Sequence, residues 1–228
     1  MAQSVLIIAD SGTGKSTSIR TLNSKESFII NPASKSLPFK GWKKNYKLFS
    51  KENLKGNMSN VCSANGILKA MKHVSNNLPH IKNLVIDDWQ YMSSFEYFDR
   101  ANEKGYDKFT QIAANLAAVA KAPKDLREDL TVFFLTHSEE STDINGYRKV
   151  KAKTIGKMID NTLTLEGLFS IVLFGVVKKN EDKTFTYGFE TQNNGENTCK
   201  SPMGMFEDAF IPNDLQYVKN CMVAYEND

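Results

Sequence analysis

The amino-acid sequence predicts an α/β fold in which a mostly parallel central sheet carries helices on both faces and ends in an antiparallel C-terminal edge. Short, continuously apolar runs alternate with segments of helical periodicity. Runs without polar alternation are typical of strands covered on both faces, and their alternation with helices favours parallel strands joined by right-handed crossovers. A hairpin pattern near residue 180 predicts the antiparallel edge.

Five apolar runs are the predicted core strands. They occupy residues 4–9, 27–31, 83–87, 131–136 and 170–177, and residues 162–165 are a candidate short companion. The polar stretch 178–182 separates the last run from another strand-like segment at 183–190, which predicts a hairpin.

Three segments with helical character lie between these runs, at residues 15–22, 65–78 and 109–121. In the second segment Ile67, Met71 and Val74 recur at three- and four-residue spacing, which is typical of one buried helix face. Pro123 is expected to end or kink the third segment.

The composition is that of one globular domain. Hydrophobic residues make up 41% and charged residues 24% of the 228 residues, which excludes disordered, collagen-like and coiled-coil classes. No apolar stretch approaches the ~20 residues that span a bilayer. We expect one domain over 1–228, with a core at about 2–190, a basic loop or insertion at 32–61 and a C-terminal extension at 191–228. The cysteines lack CxxC spacing, which indicates free thiols and a cytoplasmic protein.

The most specific motif is the glycine-rich loop at residues 9–17, Ala-Asp-Ser-Gly-Thr-Gly-Lys-Ser-Thr. It matches the phosphate-loop pattern G-x-x-x-x-G-K-[ST], except that Ala9 replaces the first glycine. Gly12 and Gly14 allow the backbone to close around an anion, and its amide groups and the following helix direct positive ends at that anion. Lys15 is expected to neutralise the β- and γ-phosphates, and Ser16 to offer its hydroxyl to Mg²⁺.

An accidental Gly-Lys-Ser sequence is the alternative, but a strand before the loop and a helix after it are the context that the motif requires. The sequence therefore predicts that the chain binds ATP with Mg²⁺. We expect Lys15 to face solvent when no phosphate is bound. The predicted nucleotide-binding residues are Asp10, Ser11, Gly12, Thr13, Gly14, Lys15, Ser16 and Thr17.

Polar residues at the ends of two further runs are the catalytic candidates, together with Lys15. Asp87 is expected to hold Mg²⁺ through water, beside Ser16, and Asp88 to orient or deprotonate the attacking water. Asp88 has a structural alternative as the N-cap of a helix that starts near residue 89. His137 ends the fourth run, where polar side chains face the ligand crevice of open α/β sheets. It is either a sensor of the γ-phosphate or catalytic water, or a structural histidine.

Four segments resemble the RecA/RadA superfamily of P-loop ATPases, and especially the small RecA-like single-strand annealing ATPases of phages. Residues 9–17 resemble the Walker A loop and residues 84–90 the Walker B strand with its continuation. Residues 133–137 are similar to the strand that ends in His, and residues 156–166 to the stretch before the next core strand.

This resemblance implies a RecA-like fold, ATP hydrolysis and action on single-stranded DNA in phage recombination or annealing. It also implies a homo-oligomer in the host cytoplasm without membrane contact. A single-strand binding protein or other recombination factors are the candidate partners.

The sequence departs from that family after the second strand. Residues 31–36 read Asn-Pro-Ala-Ser-Lys-Ser, without the glutamate that RecA-type proteins usually carry there. Either Asp88 supplies the base, or hydrolysis is slow. Lys200, near the end of the sheet, is the candidate residue that reaches a neighbour's ATP. An exposed loop lysine is the alternative.

Two lysine-rich segments are candidates for contact with nucleic acid. In RecA-like proteins the loops after the Walker B and His strands face DNA, and the second of these loops is predicted at residues 138–155. Cations there would pair with phosphates and an aromatic ring would stack on a base, while a solvated charged hairpin is the alternative. In residues 35–55 lysines are interleaved with aromatics, which fits either a binding surface or a packed insertion. The DNA-binding candidates are Tyr147, Arg148, Lys149, Lys151 and Lys153.

Two other classes of function remain open, a small P-loop kinase and a helicase-loader or packaging accessory ATPase. A kinase needs an arginine-rich lid, and the arginines of this chain do not cluster. They are Arg20, Arg100, Arg127 and Arg148.

Overall fold

The computed structural model describes residues 1–142, 148–155 and 164–227, and of Arg148 it gives the backbone alone. The strands are β1 (Gln3–Ala9), β2 (Ser27–Ile30), β3 (Met58–Ser59), β4 (Asn83–Ile86), β5 (Thr131–Thr142), β6 (Arg148–Ala152), β7 (Ile171–Lys179), β8 (Phe185–Glu190) and β9 (Phe210–Pro212). The α-helices are α1 (Trp42–Asn45), α2 (Ala64–Asn77), α3 (Gln90–Asp99), α4 (Asp107–Lys121) and α5 (Leu215–Asn227). Turns of 3-10 helix cover Ser16–Thr21, Ser24–Glu26, Ala122–Asp125 and Leu165–Leu168.

A mostly parallel sheet forms the centre of the molecule, with the strand order β3-β2-β4-β5-β1-β7-β8-β9. β1 lies between β5 and β7, so that Ala9 pairs with His137 on one side and Gly175 on the other. β4 pairs with both β2 and β5 in parallel. The carboxyl ends of β1, β2, β4 and β5 therefore meet at one edge of the sheet, where ligands bind in open α/β folds.

The core strands are covered on both faces, as the continuous apolar runs predict. In β1, Leu6 and Ile8 belong to the hydrophobic cluster under α2 and α4, whereas Val5 and Ile7 belong to a second cluster that includes residues of α5. Successive side chains of a strand point to opposite faces. Two apolar layers therefore sandwich the sheet and fix the strand register.

The antiparallel edge is confirmed. β7 pairs antiparallel with β8, and β8 pairs antiparallel with β9. The third strand of this edge lies in the C-terminal segment, which is followed directly by α5. With this edge the α/β fold class predicted from the sequence is correct as a whole.

Three predicted elements differ from the structure. The segment 15–22 forms a 3-10 helix because Ser and Thr hydroxyls bond to carbonyl groups three residues back, as Thr21 does to Ser18 at 3.0 Å. β5 continues beyond its predicted end because residues 138–142 pair with β6. The candidate strand at 162–165 lies partly outside the described residues, and its last residue, Leu165, starts a 3-10 turn.

The basic stretch 32–61 separates its aromatic residues from its lysines. Tyr46 is buried, and Phe39 and Trp42 pack beside it against the second hydrophobic cluster, while Phe49 packs against the first. The lysines of the stretch are exposed. The aromatics are therefore part of a packed insertion, and the lysines form its outer surface.

The cysteines Cys62, Cys199 and Cys221 are free, as expected from their spacing. Over the part of the chain that the structure describes, no helix combines the length and apolar character needed to cross a membrane.

We predict that Gly188→Ala lowers the free energy of unfolding by about 1–3 kcal/mol, the usual cost of overpacking. A Cβ at this buried position of β8 would lie 2.5 Å from the Ile211 carbonyl oxygen and 2.3 Å from the Phe210 ring. Urea denaturation measures the change. Gly167→Ala is the matched control, because among the described residues its Cβ would meet the Thr164 Cβ alone, at 3.8 Å. Equal stability of the two variants would contradict the close packing of β8 against β9.

Candidate functional site

A cleft of about 450 Å³ opens at the carboxyl edge of the sheet. We call it the edge cleft. It brings together the glycine-rich loop after β1, residues that follow β2 and β4, His137 within β5, and two residues of the C-terminal antiparallel edge. Its lining residues are Ser11, Gly12, Gly14, Lys15, Ser16, Thr17, Arg20, Lys35, Pro38, Asp88, His137, Tyr187 and Asn213.

The glycine-rich loop has the backbone that its sequence requires. Gly12 and Gly14 have φ values of 83° and 89°, in the left-handed region that favours glycine. A Cβ at Gly14 would also lie 3.2 Å from the Asn213 side chain and 3.3 Å from the Tyr187 ring. The Thr13 hydroxyl donates to the Asp10 carbonyl oxygen at 2.8 Å and closes the turn. The carboxylate of Asp10 accepts a hydrogen bond from Ser138.

The alanine at the first motif position is accommodated by the neighbouring strand. Ala9 is fully buried and pairs with Gly175 of β7. A Cβ at Gly175 would lie only 2.7 Å from the Ala9 methyl group. The glycine that the motif lacks in β1 is therefore matched by a glycine in β7, which leaves room for the methyl group.

Lys15 is buried, contrary to the expectation that it faces solvent. It is 6% exposed. Its Nζ lies 3.3 Å from Oδ1 of Asp88 and 3.3 Å from Nε2 of His137. The reason is that β5 lies between β1 and β4, so His137 of β5 and Asp88 after β4 both lie next to the lysine. The charge of Lys15 thus has a protein partner at the base of the edge cleft.

Ser16 and Asp87 form a pair of oxygen groups beside Lys15. The Ser16 hydroxyl donates to Oδ1 of Asp87 at 2.8 Å. Burial, with a contribution from the neighbouring charge of Asp88, raises the pKa of Asp87 to about 6. A buried carboxylate beside a hydroxyl is a set of hard oxygen ligands that fits Mg²⁺, which usually takes few protein ligands and completes its shell with phosphates and water.

Asp88 is held between two lysines. Its Oδ1 faces Lys15, and its Oδ2 contacts the ammonium group of Lys35. Burial opposes ionisation, but the charge of Lys15 and the hydrogen bond from Lys35 outweigh it and lower the pKa of Asp88. The N-cap of α3 is Trp89, so the alternative role of Asp88 as that cap is wrong. Asp88 has a φ of 54°, which costs about 1 kcal/mol for a non-glycine residue and aims its carboxylate into the cleft.

His137 lies at the centre of this charge cluster. Its Nε2 is 3.4 Å from Oδ1 of Asp88. Burial and the charge of Lys15 lower its pKa, and the opposing effect of Asp88 is smaller, so the imidazole is neutral at pH 7. Gln90, at the start of α3, holds β5 in place at Thr136 and His137. Its Oε1 accepts hydrogen bonds from the Thr136 hydroxyl at 3.2 Å and from the His137 amide at 3.4 Å.

Several cleft residues escape prediction from the sequence. Asn213 donates to the Gly14 carbonyl oxygen at 3.1 Å and accepts from Arg20 at 3.0 Å, which fastens the C-terminal segment to the loop. Tyr187 lies on an exposed face of β8, and Lys35 was noted only as part of a lysine-rich stretch. Lys35 follows β2 where RecA-type proteins usually carry a glutamate. That replacement was the one sequence feature that could have pointed to a cleft residue there. The others depend on long-range pairing.

Among the described residues, the predicted DNA-binding lysines and Lys200 do not line the edge cleft. Lys149 and Lys151 belong to β6, which forms a hairpin with β5, and Lys153 directly follows β6. Lys151 forms an ion pair with Glu139 at 3.3 Å. Tyr147 and the side chain of Arg148 lie outside the described residues, as do residues 156–163 of the fourth resembling segment. Lys200 is exposed. Its backbone pairs with that of Val172 near the amino end of β7, at the edge of the sheet opposite to the edge cleft.

Comparison with known proteins identifies the family. The family model described as "AAA domain" matches residues 1–203, which is most of the chain and includes every strand of the parallel sheet. A comparison with curated proteins gives no match. The match covers the glycine-rich loop, Asp87, Asp88 and His137. Because it spans most of the chain, the chain belongs to the AAA domain family of P-loop nucleotide-binding proteins.

Proposed function

We propose that this protein is a RecA-like ATPase that binds ATP with Mg²⁺ in the edge cleft, hydrolyses it and acts on single-stranded DNA in phage recombination or annealing. The observation that carries the ATPase proposal is the convergence of Lys15, the Ser16–Asp87 pair and His137 at one edge of the sheet. These are the groups that phosphoryl transfer needs for charge neutralisation, metal binding and positioning.

The size and polarity of the edge cleft support a nucleotide as ligand. Its volume of about 450 Å³ lies within the range of small-molecule sites. The loop amides around Gly12 and Gly14 and the ammonium of Lys15 would hold the phosphates. Tyr187, Arg20 and Asn213 line the cleft beside Gly14 and offer an aromatic surface and polar groups to the nucleoside.

Ser16 and Asp87 would hold Mg²⁺, which when bound supplies positive charge to the β- and γ-phosphates. The raised pKa of Asp87 reflects a buried carboxylate without a full counter-charge. A bound cation would relieve that deficit. Asp87 is therefore suited to bind metal, and Ser16 orients its carboxylate.

Neither candidate for the catalytic base, Asp88 or His137, is a strong proton acceptor, which supports slow hydrolysis by the isolated chain. Asp88 has a lowered pKa and contacts two lysines, so it is a weak proton acceptor. His137 is neutral and reaches both Lys15 and Asp88, which suits it to orient a water molecule or to sense the γ-phosphate.

The hairpin of β5 and β6 supports the DNA-binding part of the proposal. β5 passes the edge cleft at His137 and then continues into the hairpin. At the base of the hairpin, the amide of Lys153 donates to the His137 carbonyl oxygen at 2.8 Å. A shift in the position of His137 would therefore move the base of the hairpin. Lys151 is partly neutralised by Glu139, which leaves Lys149 and Lys153 as the stronger candidates for phosphate contact.

We further propose a homo-oligomer in which Lys200 reaches the ATP of a neighbouring subunit. The exposure of Lys200 away from its own cleft supports a role toward another subunit over one in cis. A single-strand binding protein or another recombination factor is the proposed partner.

The test of the proposed function is the rate of ATP hydrolysis with single-stranded DNA, with duplex DNA and without DNA. Stimulation by single strands is expected. Stimulation by neither, together with a phosphorylated small molecule, would favour a kinase. Stimulation by a replicative helicase or by packaging components alone would favour an accessory ATPase.

We predict that Lys15→Met lowers ATP affinity about ten- to hundredfold, because one charge-assisted phosphate contact is lost. Methionine keeps most of the buried volume at this position. Isothermal titration with ATP and Mg²⁺ measures the change. Lys25→Met removes an exposed lysine outside the edge cleft and is the control. Unchanged affinity in Lys15→Met would refute the assignment of the loop.

We predict that Asp87→Asn abolishes Mg²⁺-dependent hydrolysis with a smaller effect on ATP affinity. It should also stabilise the metal-free protein by about 1–3 kcal/mol at pH 7. The folded pKa of about 6 lies above the ordinary value of 3.8, so ionised Asp87 destabilises the fold as pH rises from about 4 to 6. Urea denaturation between pH 4 and 8 measures this gain, which should grow with pH and level off above about 6. A gain independent of pH would contradict it.

We predict that neutralising Arg148, Lys149, Lys151 and Lys153 together lowers the slope of log affinity against log salt for single-stranded DNA by about 0.7 per cation that contacts phosphate. Tyr147→Ala should cost about 1–3 kcal/mol of binding with little change of slope. Neutralising the exposed lysines Lys69, Lys72, Lys121 and Lys124 is the matched control. The same slope in the hairpin variant and the parent would make the hairpin a solvated surface.

A further inference from the structure

We propose that Lys35 is a second phosphate-binding cation, which takes the terminal phosphate of a nucleoside triphosphate and makes the edge cleft prefer triphosphates to diphosphates. This inference rests on the proposed binding of ATP. It assigns a ligand to a residue that lies outside the phosphate-loop motif, in the loop that follows β2.

The backbone of Lys35 is fixed beside the edge cleft. The side chain of Asn31, directly after β2, donates to the Lys35 carbonyl oxygen at 2.7 Å and accepts from the Lys35 amide at 3.3 Å. Asn31 is itself buried. The loop therefore presents the lysine from a rigid base, so that its long side chain alone needs to move when an anion arrives.

The side chain of Lys35 already holds an anionic group in the cleft. Its ammonium contacts Oδ2 of Asp88, while Lys15 faces Oδ1 of the same carboxylate. Two cations from separate elements thus converge on one buried anion. The two lysines differ in exposure, because the side chain of Lys35 is 54% exposed and that of Lys15 only 6%. Of the two lysines, Lys35 is therefore the one that can leave Asp88 and bind an anionic ligand instead.

Tyr91 provides a second resting contact for the lysine. The Lys35 ammonium lies 5.2 Å from the centroid of the Tyr91 ring, within the range of a cation–π interaction. The ring packs edge-on to His137 at 6.1 Å. A lysine on this aromatic surface keeps favourable surroundings over a range of positions, which lowers the cost of moving toward the phosphates.

Strand order explains why the ligand is the terminal phosphate. From the phosphate loop, the sheet runs from β1 through β5 and β4 to β2. Lys35 follows β2, so it approaches the cleft from the side farthest from the loop that would hold the inner phosphates. A diphosphate would leave Lys35 on Asp88. A third phosphate would bring its additional negative charge toward Lys35.

The other lysines of the 35–55 stretch do not share this placement. Among the described residues that line the edge cleft, Lys35 is the one lysine from that stretch. Lys40 is exposed in the same loop and lies outside the lining, which makes it a matched control. The position of Lys35 is thus better explained by a ligand in the cleft than by a general basic surface.

The test compares the affinities for ADP and for non-hydrolysable β,γ-imido ATP, both with Mg²⁺, by isothermal titration. In Lys35→Met we expect the affinity for the triphosphate to fall about ten- to hundredfold, as for loss of one charge-assisted contact, and the affinity for ADP to change less than about twofold. Lys35→Arg should restore most of the triphosphate affinity. Lys40→Met should match the parent with both nucleotides.

An equal loss of affinity for both nucleotides would overturn the inference, because Lys35 would then shape the cleft through Asp88 alone. Unchanged affinity for both would make it a mere counter-ion of Asp88. Lys35→Gln gives the same comparison should Lys35→Met fail to fold. A parent protein that binds neither nucleotide would refute the proposed function itself, whereas a parent that binds both without a Lys35-dependent preference refutes this inference alone.

Discussion

The buried pair of carboxylates after β4 is the constraint on which the rest of the site depends. Asp87 and Asp88 lie side by side at the carboxyl edge, and two adjacent buried anions repel each other strongly unless cations or protons compensate them. Burial raises the pKa of Asp87 to about 6, so this carboxylate is mostly ionised at pH 7 and only partly compensated. Lysines from two different loops neutralise Asp88. The glycine-rich loop and the loop after β2 are thereby drawn together over β4.

The arrangement of these two carboxylates has a cost in stability. Asp88 adopts a left-handed backbone conformation, and Asp87 has only the Ser16 hydroxyl as a direct hydrogen-bonding partner among the described side chains. Natural sites often keep such local strain where function needs a fixed geometry. Phosphates would compete for the lysines and a metal ion would compensate Asp87. Binding of these groups would offset part of this cost.

The C-terminal antiparallel edge has a part in the site that its position in the chain does not suggest. β8 and β9 carry Tyr187 and the segment leading to Asn213 up to the glycine-rich loop, and α5 anchors that segment by packing into the second hydrophobic cluster. Asn213 and Arg20 then hold each other beside the loop. The far end of the sequence therefore completes the wall of a cleft that begins at residue 9.

The α/β class, the core strands and their order along the chain, the antiparallel edge, the glycine-rich loop and the acids after β4 are all predictable from the sequence. These features depend on local signals, namely apolar runs, glycine spacing and polar residues at strand ends. Four other features become visible in the folded chain alone: Lys15 is buried, Lys35 binds Asp88, Gly175 makes room for Ala9 and Asn213 closes the cleft. Each of these facts depends on which strands lie side by side. The sheet order brings together residues as far apart as Gly14 and Asn213, about 200 positions, and local periodicity does not encode that order.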